Sequence, residues 1–396
     1  MRVLHLNYMP TINIGKVNKL TQQAQAAQEL GLPIDFLVIN DQLTKTTAGL
    51  CFVKMKLPAN RFIKNVIQKV DRYKLIAAHT DLENYDLLVM RYPIMQGRGW
   101  RSWFENCRIP IVLECHTFYH KELEYYFSNP ALSRWVSRGE SKNSKRVSQY
   151  ISGIIGVTGE ITEYYQNHFN TDHAAVMANG CSVADFPVRT LEKGESDIIH
   201  LLFVASIFSP WHGLDRILKS LAEYSGPPRI RLSVVGDPGQ FSSDLVRFES
   251  SGHKWVDLSC PGVLTGDDLT QLYNRAHIAI SSMALFRNDL HEASTLKTRE
   301  YTARCIPYIY GYHDSDLSGT ENFALRVSND EQLIKFSEVI EYFKPILQKN
   351  EYQREMRAHA VETMDWRIKL KNVYRYLNQV KDSSPKLSNP VATTAH

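Results

Sequence analysis

The chain has 396 residues, of which 43% are hydrophobic and 22% charged, and its formal net charge is +4. This length suits two domains of about 100–200 residues each, and the balance of apolar and charged residues excludes a disordered or fibrous chain. No apolar run reaches the roughly 18–20 residues that span a bilayer, and the opening MRVLHLNYMP turns polar too early for a signal peptide, so we expect a cytoplasmic protein.

Short apolar runs alternate with longer helical patterns in the first half, which is typical of βαβ units around parallel sheets. Residues 2–8 predict a strand, and residues 16–31 predict a helix that ends at Gly31. Further strands are predicted at 34–39, 86–90, 109–115, 152–157 and 174–178.

The same alternation restarts after the polar stretch 187–198, where we expect a domain boundary. Strands are predicted at 200–206, 229–236, 277–283 and 307–311, and helices at 213–224, at 266–275 and from about 294. The pattern therefore predicts domains at 1–190 and 191–365, with a disordered tail at 381–396. Two doubly wound halves leave ligand sites at the carboxyl edges of parallel sheets.

The segment HEASTLKTREYTARCIPYIYGYH, residues 291–313, combines charged side chains with the start of a helix. Ser294 and Thr295 are candidate N-caps. This geometry leaves the amides of Leu296 and Lys297 unpaired at the positive end of a helix, where a phosphate can bind.

The two glutamates of this segment suggest how the rest of a ligand could be held. Glu292 precedes the helix and would lie beside the group attached to the phosphate, whereas Glu300 could accept hydrogen bonds from both hydroxyls of a ribose. The segment can thus hold a nucleotide-sugar. The alternative is a solvated helix face on which Glu292, Lys297, Arg299 and Glu300 form local ion pairs.

The order of several motifs resembles that of retaining glycosyltransferases of the GT-B fold, family four. The family's most specific mark is a Glu, seven residues and a second Glu, followed by a helix and an apolar strand; Glu292 through Glu300 with ARCIPYIYG match it. Further matches, in the family's order, are PTINIGKV, MANGCSVADF, LLFVASIFSPWHGLDRIL, LSVVGDPG and CPGVLTGDDLTQLYNRAHIAISS.

The resemblance covers roughly residues 1–380. It implies an α/β fold with two facing Rossmann-like, doubly wound parallel-sheet domains, the first binding the acceptor and the second the nucleotide-sugar donor. The terminal MDWRIKLKNVYRYL is similar to the family's closing helix, which implies that residues 366–380 pack back toward the first domain.

The resemblance also implies roles for individual residues. His116 and Glu292 match positions near the transferred sugar, and Glu300 matches the ribose position. The diphosphate is assigned to Gly15, Ser206, His212, Leu296 and Lys297, the nucleotide side to Gly236 and Asp237, and the neighbourhood of the base to Gly262. Alternatives stay open, because Gly15 also suits an ordinary turn and His116 also suits a satisfied structural histidine.

Two positions depart from the family pattern. Ser206 and His212 stand where the family usually carries an Arg and a Lys that neutralise the diphosphate. We expect Lys297 and Arg299 to replace these cations, with His212 protonated beside the phosphates. A subgroup of capsule and O-antigen transferases similarly has WHG and KTREY together, which favours compensation over loss of activity.

Asp314 and Asp316 suggest a metal site, because they have the Asp-x-Asp spacing that binds manganese in the other major glycosyltransferase fold. They lie in HDSDLSG, a turn-rich stretch where Asp is common for backbone reasons. The six cysteines form no CxxC pair, so neither zinc nor a disulfide framework is predicted. We expect no metal or other cofactor.

Two basic stretches lie in the first half: Lys54–Lys74 has seven Lys or Arg and one acid, and Arg134–Arg146 has five and one. They are either solvated faces or contacts with anionic lipid at the inner face of the cell membrane. The second reading suits a lipid-linked acceptor. No nucleic-acid partner is expected, since the chain is only mildly basic and lacks a recognised binding motif.

The expected protein is a retaining glycosyltransferase that moves a sugar from a UDP- or GDP-sugar onto a cell-surface glycan. Two alternatives share the architecture. A sugar-nucleotide epimerase would consume the donor without an acceptor, and an inactive donor-binding partner subunit would bind nucleotide without transfer.

Overall fold

The computed structural model describes residues 1–47, 49–125, 129–191, 197–349 and 351–384. Contacts divide the chain into a first unit, Met1–Met177 with the described residues from Leu370 onward, and a second unit, Ala178–Lys369. Residues 178–190 thus group with the second unit, whereas the sequence assigned them to the first. The reason is backbone bonding: the Cys181 amide donates to the Met364 carbonyl at 2.9 Å, and the Arg189 amide donates to the Arg304 carbonyl at 2.9 Å.

The first unit is built on an eight-stranded sheet. Its strands are β1 (Val3–Tyr8), β2 (Ile34–Asn40), β3 (Lys45–Thr47), β4 (Leu50–Lys54), β5 (Leu87–Arg91), β6 (Ile111–Cys115), β7 (Ile151–Gly156) and β8 (Ala174–Val176). The order is β3-β4-β2-β1-β5-β6-β7-β8, and every neighbouring pair is parallel except β3 and β4. All five residues of β6 are buried, as expected of a parallel strand covered on both faces.

Helices connect these strands. They are α1 (Ile14–Glu29), α2 (Arg61–Val70), α3 (Arg72–His79), α4 (Trp100–Asn106), α5 (Tyr119–Tyr125), α6 (Pro130–Arg146) and α7 (Gly159–Phe169). Asn13 is the N-cap of α1, and its side chain accepts a hydrogen bond from the Lys16 amide at 3.0 Å. This cap fixes the start of α1 at Ile14, shortly after β1 ends at Tyr8. This places the first turn of α1 at the carboxyl edge of the sheet.

The second unit is built on a six-stranded parallel sheet. Its strands are β9 (Ile198–Ile207), β10 (Arg229–Asp237), β11 (Val256–Gly262), β12 (Ile278–Ile280), β13 (Tyr308–Tyr310) and β14 (Ala324–Arg326), in the order β11-β10-β9-β12-β13-β14. Its helices are α8 (Leu214–Ala222), α9 (Ser242–Ser250), α10 (Gly266–Arg275), α11 (Leu296–Ala303), α12 (Phe336–Leu347) and α13 (Glu351–His359). Phe203, Leu232 and Ile278 belong to its buried core.

The predicted closing helix is α14 (Trp366–Ser383). The Tyr376 hydroxyl lies 3.1 Å from the amide nitrogen and 3.0 Å from the carbonyl oxygen of Ile154, so the end of α14 packs on β7. The helix runs past residue 380, so the first residues of the predicted tail are helical, and residues 385–396 lie outside the described residues. Among the described residues, the helices are all too short or too polar to span a bilayer.

Each sheet has a point at which the strand order reverses. Strand β1 lies between β2 and β5, and β9 lies between β10 and β12. Open α/β sheets bind ligands beyond the carboxyl ends of the strands at such a point. The predicted α/β class with two Rossmann-like units is confirmed, and each unit has one such position.

Candidate functional site

The amino end of α11 lies in the second unit, after the loop that follows β12. Thr295 is the N-cap residue, but its side chain makes no capping bond. Its hydroxyl instead lies 2.8 Å from the Tyr312 hydroxyl and 3.2 Å from that of Ser281. Because the first amides of a helix have no intrahelical partner, those of Leu296 and Lys297 are available to an anion. Their binding of a phosphate stays a prediction.

Lys297 is the second residue of α11. The residue keeps some exposed surface, but its Nζ atom is enclosed and has no hydrogen-bond partner in the part of the chain that the structure describes. The ammonium lies 5.2 Å from the centre of the Phe203 ring, a cation–π contact. Burial lowers the pKa of Lys297 from 10.5 to about 7. An enclosed cation without a counter-ion is costly, so this position favours an anionic ligand.

His212 does not carry the positive charge that the sequence predicted. Its Nδ1 accepts a hydrogen bond from the Ser209 amide at 2.9 Å, which leaves Nδ1 without a proton. Burial, aided by the nearby Lys297, lowers the pKa of His212 well below its usual value. His212 is therefore neutral at physiological pH and can offer a phosphate only the Nε2–H donor.

Arg299 was predicted to bind the diphosphate, and this prediction is wrong. Its side chain is completely buried and forms ion pairs with Asp314 and, at 2.6 Å, with Asp316. Its Nε donates to the Asn179 carbonyl at 2.8 Å. Residues two apart on a helix face different sides, so Arg299 lies away from Lys297 and holds the start of α11 in place.

The same network accounts for the Asp-x-Asp pair. Asp314 and Asp316 bind Arg299, and Asp316 also binds the ammonium of Lys369. In the described part of the chain, no group of three or more His, Cys, Asp or Glu side chains could hold a metal ion. Asp314 and Asp316 thus act as structural counter-ions.

Glu300 and Glu292 lie at the two ends of the predicted sugar-to-ribose stretch. A Glu300 oxygen accepts from Arg304 Nε at 2.8 Å, and its side chain is 24% exposed. Glu292 forms an isolated parallel bridge with His313, next to which the Ala293 amide donates to the His313 carbonyl at 3.0 Å. This bridge fixes the loop before α11. Neither contact removes these carboxylates from the reach of a ligand.

The other predicted donor residues lie at the carboxyl edge of the six-stranded sheet. Ser206 is exposed near the end of β9, and Gly236 and Asp237 end β10. Gly236 has φ of 128°, and a Cβ there would overlap the Ala205 carbonyl, so the fold itself requires glycine. Gly262 ends β11 with φ of 79° and open space around it.

In the first unit, a lysine that the sequence did not single out links His116 to α1, the helix that carries Gly15. Gly15 lies in the first turn of α1, and His116 follows β6. Lys19, one turn beyond Gly15, has its ammonium 3.5 Å from Nε2 of His116. Both Lys19 and His116 contact Glu114. A carboxylate inside the apolar run IPIVLEC was the available signal, since a buried Glu needs a cation.

No protein-family model matches the chain, and no curated protein matches it by sequence. Solved structures match it in fold. A glycosyltransferase from Rickettsia africae has a TM-score of 0.63 and 15% identity, covering 97% of this chain and 100% of its own. HepE from Anabaena, solved with UDP, has a TM-score of 0.65 and 12% identity, covering 96% and 100%.

A third similar structure is the catalytic domain of starch synthase IV from Arabidopsis thaliana, bound to ADP and acarbose. Its TM-score is 0.61 at 11% identity, covering 96% of this chain and 99% of that domain. Identities this low indicate a shared fold. The chain therefore has the GT-B fold of these glycosyltransferases.

Proposed function

We propose that the protein is a retaining glycosyltransferase of family four that transfers a sugar from a UDP- or GDP-sugar onto a cell-surface glycan acceptor. The observation that carries the proposal is Lys297, whose enclosed ammonium has no hydrogen-bond partner among the described residues and lies in the first turn of a helix with no side-chain cap. A diphosphate supplies the missing anion. Further support comes from HepE, a protein of the same fold that was solved with UDP.

The donor roles follow from the residues of the second unit. The amides of Leu296 and Lys297 and the Lys297 ammonium bind the diphosphate. Neutral His212 adds one hydrogen bond, and the exposed Ser206 hydroxyl adds another. Glu300 binds the ribose, and Glu292 binds the transferred sugar, to which His116 of the first unit is also assigned. Gly15, Gly236, Asp237 and Gly262 leave backbone groups accessible to the donor.

The chemistry requires charge stabilisation more than an enzyme base. In the retaining enzymes that the sequence resembles, a departing phosphate oxygen is proposed to take the acceptor proton on the same face of the sugar. Lys297 would stabilise the charge that develops on this oxygen as the glycosidic bond breaks. The first unit would bind the acceptor. No metal or other cofactor has a role in this scheme.

A panel of nucleotide-sugars tests the function directly. We expect one UDP- or GDP-sugar to raise the melting temperature of the purified protein and then to be consumed only when a glycan acceptor is added. Consumption without an acceptor would indicate epimerisation instead. The proposal fails if no nucleotide-sugar in the panel changes the melting temperature.

Glu300→Gln tests the ribose contact. We expect weaker nucleotide binding by about 10–100-fold, because a hydrogen bond to a charged acceptor contributes about 1.5–3 kcal/mol. Calorimetric titration with UDP and GDP measures the change. The control is Arg304→Met, which removes the same intrahelical ion pair but leaves the Glu300 carboxylate in place. Equal affinity losses in both variants would mean that Glu300 acts only through Arg304.

The acceptor is proposed to be lipid-linked, because apolar and basic side chains are exposed together on two helices of the first unit. Phe62 on α2 is 77% exposed and Trp135 on α6 is 73% exposed. The loop after β5 bonds to both helices: the Arg98 amide donates to Val70, and the Gln96 side chain donates to Val136. Such a combination suits the interface of an anionic membrane, at the inner face of the cell membrane.

Reversing four charges on this surface tests membrane binding. Lys64 is left unchanged, because it forms an ion pair with Asp41. We expect the quadruple change of Arg61, Lys69, Arg138 and Lys142 to Glu to lower binding to phosphatidylserine vesicles at least about 100-fold, since each cation contributes about 1 kcal/mol. Vesicle sedimentation at increasing salt measures it.

The matched control reverses four exposed cations of the second unit, Arg247, Lys254, Lys335 and Lys344, and so gives the same net charge. It should sediment with vesicles like the wild type. Equal losses in both quadruple variants would mean that net charge alone governs binding, and the proposed surface would be rejected.

An inactive donor-binding subunit is the second candidate, favoured by one observation. The family that the sequence resembles usually has an Arg and a Lys at the positions of Ser206 and His212. Because His212 is neutral, neither position of this chain carries a permanent positive charge. Tight nucleotide binding with no transfer to any glycan acceptor would select this candidate. Transfer would exclude it.

A further inference from the structure

A buried polar cluster in the first unit surrounds Glu114. One oxygen of Glu114 lies 3.2 Å from the Lys19 ammonium and 3.1 Å from Nε2 of His116, and the other lies 2.9 Å from Nε2 of His5. Glu114 is 1% exposed and Lys19 is 7% exposed. The contacts join α1, β1 and β6 at the carboxyl edge of the sheet, and the proposed function assigns a role only to His116.

The charge states in the cluster are set by burial and by the three side chains around Glu114. Burial opposes ionisation of Glu114, but the charge of Lys19 and the contacts with His116 and His5 outweigh it and hold the pKa of Glu114 well below its usual value. Burial, together with the nearby charges of Lys19 and Arg91, lowers the pKa of His116 to about 3. Glu114 is therefore an ionised acceptor, and His116 is a neutral ring.

These two states determine where the proton of His116 lies. An ionised carboxylate can only accept, so the contact with Glu114 is a hydrogen bond only if Nε2 of His116 carries the proton. Nδ1 then keeps its lone pair. Among the described residues, Nδ1 of His116 has no hydrogen-bond partner, and the side chain is 12% exposed.

We propose that Glu114 is a positioning residue that holds His116 as the Nε2–H tautomer, so that His116 presents Nδ1 to the substrate as a hydrogen-bond acceptor. The substrate group must then be a donor, such as a sugar hydroxyl. This inference rests on the proposed function for the identity of the substrate, but the tautomer is a property of the free protein. Lys19 supplies the charge that keeps Glu114 ionised.

Glu114→Leu should disturb the tautomer. Leucine offers no acceptor to Nε2 of His116, so the hydrogen bond that selects a proton on this nitrogen is lost. The Lys19 ammonium, 3.5 Å from Nε2, can then donate to it and favours a lone pair there. We expect His116 to lose its pure Nε2–H state, and transfer to slow about tenfold through kcat, with nucleotide affinity unchanged.

Nuclear magnetic resonance of protein labelled with ¹⁵N-histidine measures the tautomer without a substrate. The His116 ring is assigned as the signal pair missing from His116→Gln. In the wild type we expect a protonated Nε2 and an unprotonated Nδ1 that do not titrate between about pH 5 and 8. The same spectrum of Glu114→Leu should show a ring that is protonated partly or wholly at Nδ1.

A second variant protects the test against misfolding, since Glu114→Leu leaves the Lys19 charge buried. The double variant Glu114→Leu and Lys19→Met removes both charges and the acceptor oxygens together, and it should also lose the pure Nε2–H state. A wild-type His116 that is protonated at Nδ1, or that titrates near its usual pKa, would overturn the proposal. So would an unchanged tautomer in both variants.

The outcomes separate this inference from the proposed function. If every nucleotide-sugar fails to bind while His116 of the free protein is the Nε2–H tautomer and Glu114→Leu changes it, the glycosyltransferase proposal fails and the positioning role of Glu114 stands. If transfer is active but the free ring is the other tautomer, the positioning role fails alone.

Discussion

Lys297→Met is expected to lower the rate of sugar transfer by about 10²–10³-fold and, at the same time, to raise the melting temperature of the free protein. The loss of rate is the usual effect of removing one electrostatic group that acts on the transition state. The gain in stability follows from burial: folding lowers the pKa of Lys297 from 10.5 to about 7, so enclosing the ammonium opposes folding. Methionine fills similar space without a charge.

The stability gain should depend on pH in a defined direction. Between about pH 7 and 10.5 the unfolded chain holds a proton on Lys297 that the folded protein does not, so wild-type stability from this group rises with pH across this window. The advantage of Lys297→Met should be largest at or below pH 7 and should disappear near pH 10.5. Melting curves of both proteins across this range measure it.

Donor binding should reverse the pKa shift, since a diphosphate beside Lys297 favours the charged form. Above pH 7 the free protein must then take up a proton when it binds UDP or GDP, and kcat/KM should decline as pH rises. Calorimetry in buffers of different ionisation enthalpy detects the uptake. Lys297→Arg should flatten the decline because arginine stays charged, whereas His212→Lys should not, because His212 is already neutral.

The control for these experiments is Lys219→Met, which changes an exposed lysine of α8. It should leave the rate, the proton uptake and the melting temperature nearly unchanged. A fully active Lys297→Met protein would show that the ammonium does not act on the diphosphate. A lower melting temperature in this variant would show instead that the lysine stabilises the fold.

The main strands were predictable because strands covered by helices on both faces are apolar throughout. The run HLLFVAS became the centre of β9, and the predicted helix at 266–275 is helix α10. Three of the four missed strands, β3, β11 and β14, lie at the sheet edges, where this rule fails, and the fourth, β4, lies next to the edge strand β3. Strand β3 reads KTT, and β11 reads VDLSCPG with a proline, since edge strands tolerate polar residues and proline.

The site was only partly predictable, because side-chain direction and burial are not visible in a motif. Lys297 and Arg299 were given the same role, although a helix turns each residue by about 100°, so that residues two apart point to different sides. The role of Asp314 and Asp316 was not predictable either. Their partner, Arg299, is fifteen and seventeen residues earlier in the chain, and only folding brings it near.

Arg299→Met is expected to destabilise the protein by about 3–5 kcal/mol, since removing one partner of a buried ion pair leaves its counter-ion buried and unpaired. Here both Asp314 and Asp316 lose a partner. Urea unfolding of wild type and variant measures the change. The control, Arg101→Met, removes an exposed ion pair with Glu105 and should change stability by less than about 1 kcal/mol.

A triple variant separates charge from shape. Adding Asp314→Asn and Asp316→Asn to Arg299→Met removes the unpaired charges, so it should recover part of the lost stability. It should not recover donor affinity, because Arg299 also donates to the Asn179 carbonyl while the Asn179 amide donates to Ser294 just before α11, at 2.8 and 2.6 Å. Without that link, Lys297 loses its fixed position even in a stable protein. Wild-type nucleotide affinity in a folded Arg299→Met protein would contradict this link between the buried network and the anion site.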